Sequence, residues 1–224
     1  MVRALAKIVL VIAVAGALSG RAAAMMVDSI PAGPLSPPLR TSTVPAPATP
    51  MAADFGAAGE PFGYVSFCLR FADQCRFRPG EASTIAMTPA LWQMLGEVDD
   101  GVNNSIRPED DRRHYDRAEY WTIPTDGYGD CEDYALTKRK DLIALGLSES
   151  ALRIAIVVTP RGNRHAVLTV VTDQGDYVLD NLVGAVLPWN ASGYVWIERQ
   201  SPANGGSWVS LRPAGPRMAA AAKI

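Results

Sequence analysis

The spacing of apolar and polar positions changes near the middle of the chain, from a helical period to an extended one. Residues 88–104 open with Thr88-Pro89, a capping hydroxyl followed by a proline suited to a first turn, and continue with Leu91, Trp92, Met94 and Leu95 at helical spacing. This predicts a helix. Residues 108–117 are charged and irregular, and read as a surface loop leading into Tyr120-Trp121-Thr122-Ile123-Pro124. After the turn Gly127-Tyr128-Gly129-Asp130, residues 132–145 return to a helical period and stop at Gly146. Residues 153–159, 165–172 and 177–182 are then rich in Val, Ile and Leu, with Asp173-Gln174-Gly175-Asp176 between the last two, which predicts strands and an antiparallel hairpin. Shorter strands are expected at residues 193–199 and 208–211. Helices first and strands afterwards define an α+β fold rather than an alternating one.

Toward the termini the pattern lapses. Arg3 and Lys7 precede an uncharged apolar run, residues 8–18, and then Ala22-Ala23-Ala24, which predicts a cleaved secretory signal over residues 1–24. The alternative is an uncleaved anchor, but the run is well short of the roughly 20 residues that span a bilayer. Residues 25–60 are rich in Pro, Ala, Ser and Thr, a composition that reads as a disordered linker. One domain is therefore expected over residues 61–212, working as a monomer, with a flexible tail over 213–224. The net charge is −2 and no Lys/Arg cluster is longer than Lys138-Arg139-Lys140, so nothing argues for nucleic acid as a partner.

Export changes how the 3 cysteines are read. An oxidising compartment suits a short-loop disulfide between the neighbours Cys68 and Cys75 and leaves Cys131 free, three buried thiols being the alternative. Cys131 falls at a helix N-terminus, where unpaired N–H groups and the dipole favour a thiolate. Gly127 and Gly129 would let the backbone approach a substrate closely, and the Cys131 N–H could serve an oxyanion, with Trp121 and Tyr128 as weaker candidates for a second donor. Of the 2 histidines, His114 lies among Asp110, Asp111, Arg112 and Arg113, whereas His165 opens an apolar strand and is the better base. Asp180 is the candidate third member, orienting the imidazole. A turn centred on Gln174-Gly175 would set Asp180 opposite Thr169, about four residues from His165 along the strand, roughly 13 Å at strand rise. That is too far for a hydrogen bond, so a shifted register, bulge or longer loop is required. Trp121, Trp189 and Trp196 read as core, with a groove-lining role as the alternative.

Gly129-Asp130-Cys131-Glu132-Asp133-Tyr134, the strand start His165-Ala166-Val167-Leu168 and Val178-Leu179-Asp180-Asn181 together resemble the bacterial transglutaminase-like cysteine peptidases of the Gram-negative periplasm. The resemblance covers roughly residues 62–211. It implies a papain-like or transglutaminase-like core with the cysteine helix packed on an antiparallel sheet, and Cys131, His165 and Asp180 as catalytic triad. It implies peptide-bond hydrolysis of a protein substrate, with transglutaminase-type transfer to an amine as the alternative. A non-catalytic envelope-binding domain and a tethered structural protein are the readings from other classes. One branch of the family is calcium-dependent and releases cell-surface adhesins under an inner-membrane regulator. Its calcium ligands include the acids flanking the cysteine, here Asp130 and Glu132. The same carboxylates also suit the first turn of a helix, and both readings stand.

Overall fold

The computed structural model describes residues 49–51, 54–76, 80–201 and 206–213. The expected signal segment, most of the linker and the tail beyond Pro213 lie outside these residues. The described elements are β1 (Ala57–Ala58), α1 (Phe62–Arg70), α2 (Pro89–Ser105), β2 (Arg107–Pro108), α3 (Asp111–Tyr115), β3 (Tyr128–Gly129), α4 (Cys131–Ala144), β4 (Leu152–Val158), β5 (Arg164–Thr172), β6 (Gly175–Leu179), β7 (Leu187–Pro188), β8 (Val195–Gln200) and β9 (Trp208–Ser210). Seven strands form one antiparallel sheet in the order β1-β9-β8-β4-β5-β6-β7, and β2 pairs with β3 in parallel. The α+β expectation holds.

Period-two alternation sorts the sheet's side chains into two clusters. Ile154 and Ile156 of β4, Ala166, Leu168 and Val170 of β5, and Tyr177 and Leu179 of β6 pack with Leu91 and Leu95 of α2 and Leu136 and Leu142 of α4. The intervening Ala155, Val157, Val167 and Val178 pack with Met51, Trp196 and Leu211. Helix α2 begins as its sequence dictates, with Thr88 Oγ1 accepting the Leu91 N–H at 3.0 Å. It is locked to α4 by a fully buried ion pair, Lys138 Nζ to Asp99 Oδ1 at 2.6 Å. Arg139 is buried too, donating to the carbonyls of Leu152 and Gln74. Two charges of the longest basic cluster are thus spent inside the domain.

Helix α1 has no counterpart in the expected pattern. It buries Tyr64 and Phe67 and leaves Phe62 and Leu69 exposed. Gly63 lies against Trp121, whose ring would come within 2.2 Å of a Cβ at that position. Trp121 and Trp196 are core, as their ring size suggests. The ordered fold also reaches back past Pro61: Met51 is buried and β1 pairs with β9, so part of the Pro/Ala-rich stretch belongs to the sheet.

Cys68 and Cys75 are bonded to each other and Cys131 is free. Changing both bonded cysteines to alanine should lower the unfolding free energy by about 2.5 kcal/mol, the loop-closure entropy of so short a ring. A denaturant titration would measure the loss, and the reactivity of Cys131 should stay as it was.

The β5–β6 hairpin turns one residue earlier than the spacing predicts, which moves every cross-strand partner by two. Thr172 pairs with Gly175 and Thr169 with Val178, so the turn is centred between Asp173 and Gln174. Two bonds from the segment before α2 pin it: the Asp173 carboxylate accepts the Met87 N–H at 2.8 Å, and the Asp173 N–H donates to the Ile85 carbonyl at 3.0 Å.

Candidate active site

That register carries Asp180 toward the start of β5. By the same pairing it falls opposite Val167 rather than Thr169, halving the separation from His165. The remaining gap is within side-chain reach, because both residues lie on one face of the sheet. His165 Nε2 and Asp180 Oδ1 are 2.7 Å apart, and both side chains are buried. Burial by itself would raise the Asp180 carboxyl, but bonds from His165, the Leu182 N–H and the Tyr194 hydroxyl outweigh it and hold the group below the usual carboxylate range. An ionised Asp180 can only accept, so Nε2 carries the proton and Nδ1 is left to act as a base. Asn103 of α2 secures the same residue from behind, its Nδ2 donating to the Asp180 carbonyl at 2.9 Å.

Cys131 occupies the first turn of α4, beside Asp130 at the N-cap. Its Sγ accepts the Ala166 N–H at 3.4 Å, one residue beyond His165, and its thiol points to Glu132 Oε2 at 3.2 Å. Cys131, His165, Asn181 and Tyr194 all line one cleft of about 1120 Å³. Its rim includes Glu109, Asp110, Arg161 and Arg164. The helix end alone would lower the thiol pKa, yet it stands well above the ordinary value, first through burial and then through the negative charge of Glu132. Helix position therefore does not by itself bring this thiol below the ordinary range.

The acids around the cysteine form a denser group than the two the sequence singled out. Asp111, Asp130 and Asp133 bring one carboxylate oxygen each to within 4.8 Å of one another, and Asp130, Cys131 and Glu132 form a second such set. Asp111 was missed because its neighbours made residues 108–117 look like a solvated loop. The β2–β3 pairing folds that stretch inward and buries Asp111, whose carboxylate accepts the Tyr120 N–H. Its neighbours Asp110, Arg112 and Arg113 gave no signal that it would be buried. Asp133 accepts the Thr122 N–H at 2.7 Å and the Asp130 N–H at 3.4 Å, so the acids also do the capping work expected of a first turn. Burial pushes Asp133 up to about 8 and Asp111 up to about 6, and the charge of Asp130 adds to both shifts. Glu132 rises further, through burial and its contact with Asp130.

The glycine before the cap serves this cluster. A Cβ at Gly129 would stand 2.7 Å from Asp133 Oδ2, so the missing side chain makes room for the carboxylate rather than for a substrate. His114, the histidine set aside, pairs with Asp126 at 2.9 Å.

A free cysteine, a histidine and an aspartate gathered where a helix N-terminus abuts an antiparallel sheet define the thiol-hydrolase class of site. The model of the bacterial transglutaminase-like cysteine proteinase family matches residues 55–215, and the chain belongs to that family. Among solved structures it is similar to Legionella pneumophila LapG in three forms. The EGTA-treated form is 26% identical over 49% of this chain and 62% of that one, with a TM-score of 0.44. A second form is 25% identical over 50% and 64%, with a TM-score of 0.43. The calcium-bound form is 23% identical over 58% and 82%, with a TM-score of 0.43. The chain spans less than two thirds of the first two LapG chains. No curated protein matches the sequence.

Proposed function

We propose that this peptidase cuts a peptide bond of a protein substrate with Cys131 as nucleophile, His165 as acid and base, and Asp180 as the group that orients His165. The observation that carries the reading is the buried His165–Asp180 pair, whose histidine lines the same cleft as the single free cysteine among the described residues. The Cys131 proton passes to His165 Nδ1, and the thiolate adds to the substrate carbonyl. The carbonyl–nitrogen bond breaks as His165 returns the proton to the leaving amine, leaving a thioester on Sγ. Water, deprotonated by His165, then adds to the thioester; carbon–sulfur cleavage frees the acid and restores the thiol.

The acidic cluster fits a calcium ion. Asp111 Oδ1 and Asp130 Oδ1 are buried without a hydrogen-bond partner, and carboxylate oxygens are the donors a hard cation prefers. Asp111, Asp130 and Asp133, with Glu132 alongside, would hold it. A bound cation supplies the positive charge that lets these acids ionise together and fastens the α3 segment to the start of α4. The resemblance of the sequence to the adhesin-releasing branch suggests a cell-surface adhesin as substrate and an inner-membrane regulator as partner. The apolar run following Arg3 and Lys7 supports export to the periplasm.

A peptide p-nitrophenyl ester tests the chemistry. Intact-mass analysis should find the acyl group on Cys131, decaying by hydrolysis, with none on a Cys131→Ala protein. Decay that depends on an added primary amine and yields the amide would replace hydrolysis with transfer. An ester that never acylates the native protein, with calcium or without, would sink the reading.

A further inference from the structure

The Asp180 carboxylate has two oxygens, and the His165 bond uses one. Oδ1 accepts from His165 Nε2 and, at 3.0 Å, from the Leu182 N–H. Oδ2 accepts from the Tyr194 hydroxyl. The Tyr194 ring also stands edge-on to the imidazole, with centroids 5.9 Å apart and planes at 72°. One side chain therefore touches both members of the pair while lining the substrate cleft. Its backbone is tied down in turn, the Tyr194 N–H donating to Ser192 Oγ at 3.3 Å.

We infer that Tyr194 is a positioning residue for catalysis, acting through Asp180; the inference rests on the triad reading above. Two physical effects support it. The terminal torsion of an aspartate is soft, so a carboxylate held at one oxygen can swing out of the imidazole plane; a second bond at Oδ2 fixes the orientation of Oδ1. A phenol donating to the carboxylate also stabilises its ionised form, which keeps the proton on Nε2 and leaves Nδ1 free for the thiol. With the hydroxyl gone, Oδ2 is a buried charged atom lacking that partner, and the pair loosens or takes in water. Sequence gave no hint of this: Tyr194 sits in a Ser-Gly-Tyr loop far from the cysteine and histidine blocks.

The test compares Tyr194→Phe, Asp180→Ala, the double variant and His165→Ala with the native protein. The readouts are the iodoacetamide alkylation rate of Cys131 and the imidazole ¹H–¹⁵N spectrum. With 2 histidines in the chain, the signals assign by removing His114. Tyr194→Phe should slow alkylation about tenfold, the worth of a hydrogen bond to a charged group, and should shift the His165 Nε2 signal in a protein that still folds. On the Asp180→Ala background it should do nothing more. Native-rate alkylation with an unmoved His165 signal would overturn the inference, and so would a slowing that persists undiminished without Asp180. If Tyr194→Phe does not fold, 3-fluorotyrosine at position 194 strengthens the donor without removing an atom. It should move the same signal, and an unmoved signal rejects the role. If His165→Ala alkylates like the native protein, the triad reading itself has failed; if His165→Ala is slow and Tyr194→Phe is not, only the inference about Tyr194 has.

Discussion

Replacing Asp180 by alanine should slow ester or peptide turnover by about 10⁴-fold, the loss found when the orienting acid of such a triad is disabled. The reason lies in the tautomer. Asp180 is ionised and accepts from Nε2, which leaves Nδ1 as the base; without the carboxylate, a proton on Nδ1 is no longer disfavoured and the ring is free to rotate. The thiol feels this strongly because burial already holds its pKa high, so it gains little without a competent base. Asp180→Asn keeps the shape and should recover only part of the loss, since an amide can present either its oxygen or its nitrogen to Nε2. Pre-steady-state acylation would measure the effect free of deacylation. A variant within threefold of the native rate would mean that His165 is oriented by something else.

The acidic cluster makes stability depend on pH in an unusual direction. Asp133 and Asp111 have folded-state pKa values raised to about 8 and about 6. A carboxyl whose pKa is raised by folding contributes its stability below the unfolded value, near pH 4, and loses it as the pH climbs through the folded value. In chelator, therefore, the melting temperature should fall between about pH 4 and pH 8, steeply up to about pH 6 while both acids titrate and less so beyond. At about 1.4 kcal/mol for each pK unit, the combined effect reaches several kcal/mol, or on the order of 10 °C for a domain of this size. Calcium should reverse it, raising the melting temperature far more at pH 8 than at pH 5. Asp111→Asn, which removes one of the three carboxylates, should flatten the slope in chelator and weaken the calcium response together. Scanning calorimetry across pH with and without calcium would settle both points; a chelated protein equally stable at pH 5 and pH 9 would show that the acids are not forced together as described.

Much of the site could be read before any coordinates. Cys131 and His165 stood out because export made a lone thiol conspicuous and left few histidines to choose from. Periodicity placed α2, α4 and the long strands to within a residue or two, because each carries a capping residue or an uninterrupted apolar run. Helix α1 was invisible for the opposite reason: two of its large apolar side chains, Phe62 and Leu69, face outward, while Gly63, Tyr64 and Phe67 are the residues it buries. The reach from Asp180 to His165 could not be computed, because the turn position depends on bonds made by Ile85 and Met87, far away in sequence. Asp111 was hidden by its charged neighbours, and its burial follows from a two-residue parallel pairing that no local pattern announces.

The hairpin turn that those two residues fasten lies about seven residues from Asp180, some 23 Å along an extended strand. Strand side chains alternate faces, so the turn works as a reading frame for the active site. One residue inserted between Asp173 and Gln174 would exchange the two faces of β6, sending Tyr177 and Leu179 out of the helix-side core and turning Asp180 away from His165. Two inserted residues would restore the faces but, with Asp173 still held, slide the acid two positions along β5, from opposite Val167 to opposite His165, and so change the geometry of the pair. Length variation in this family should therefore be tolerated in the loop after Val158 and resisted at Asp173, although neither position touches the thiol.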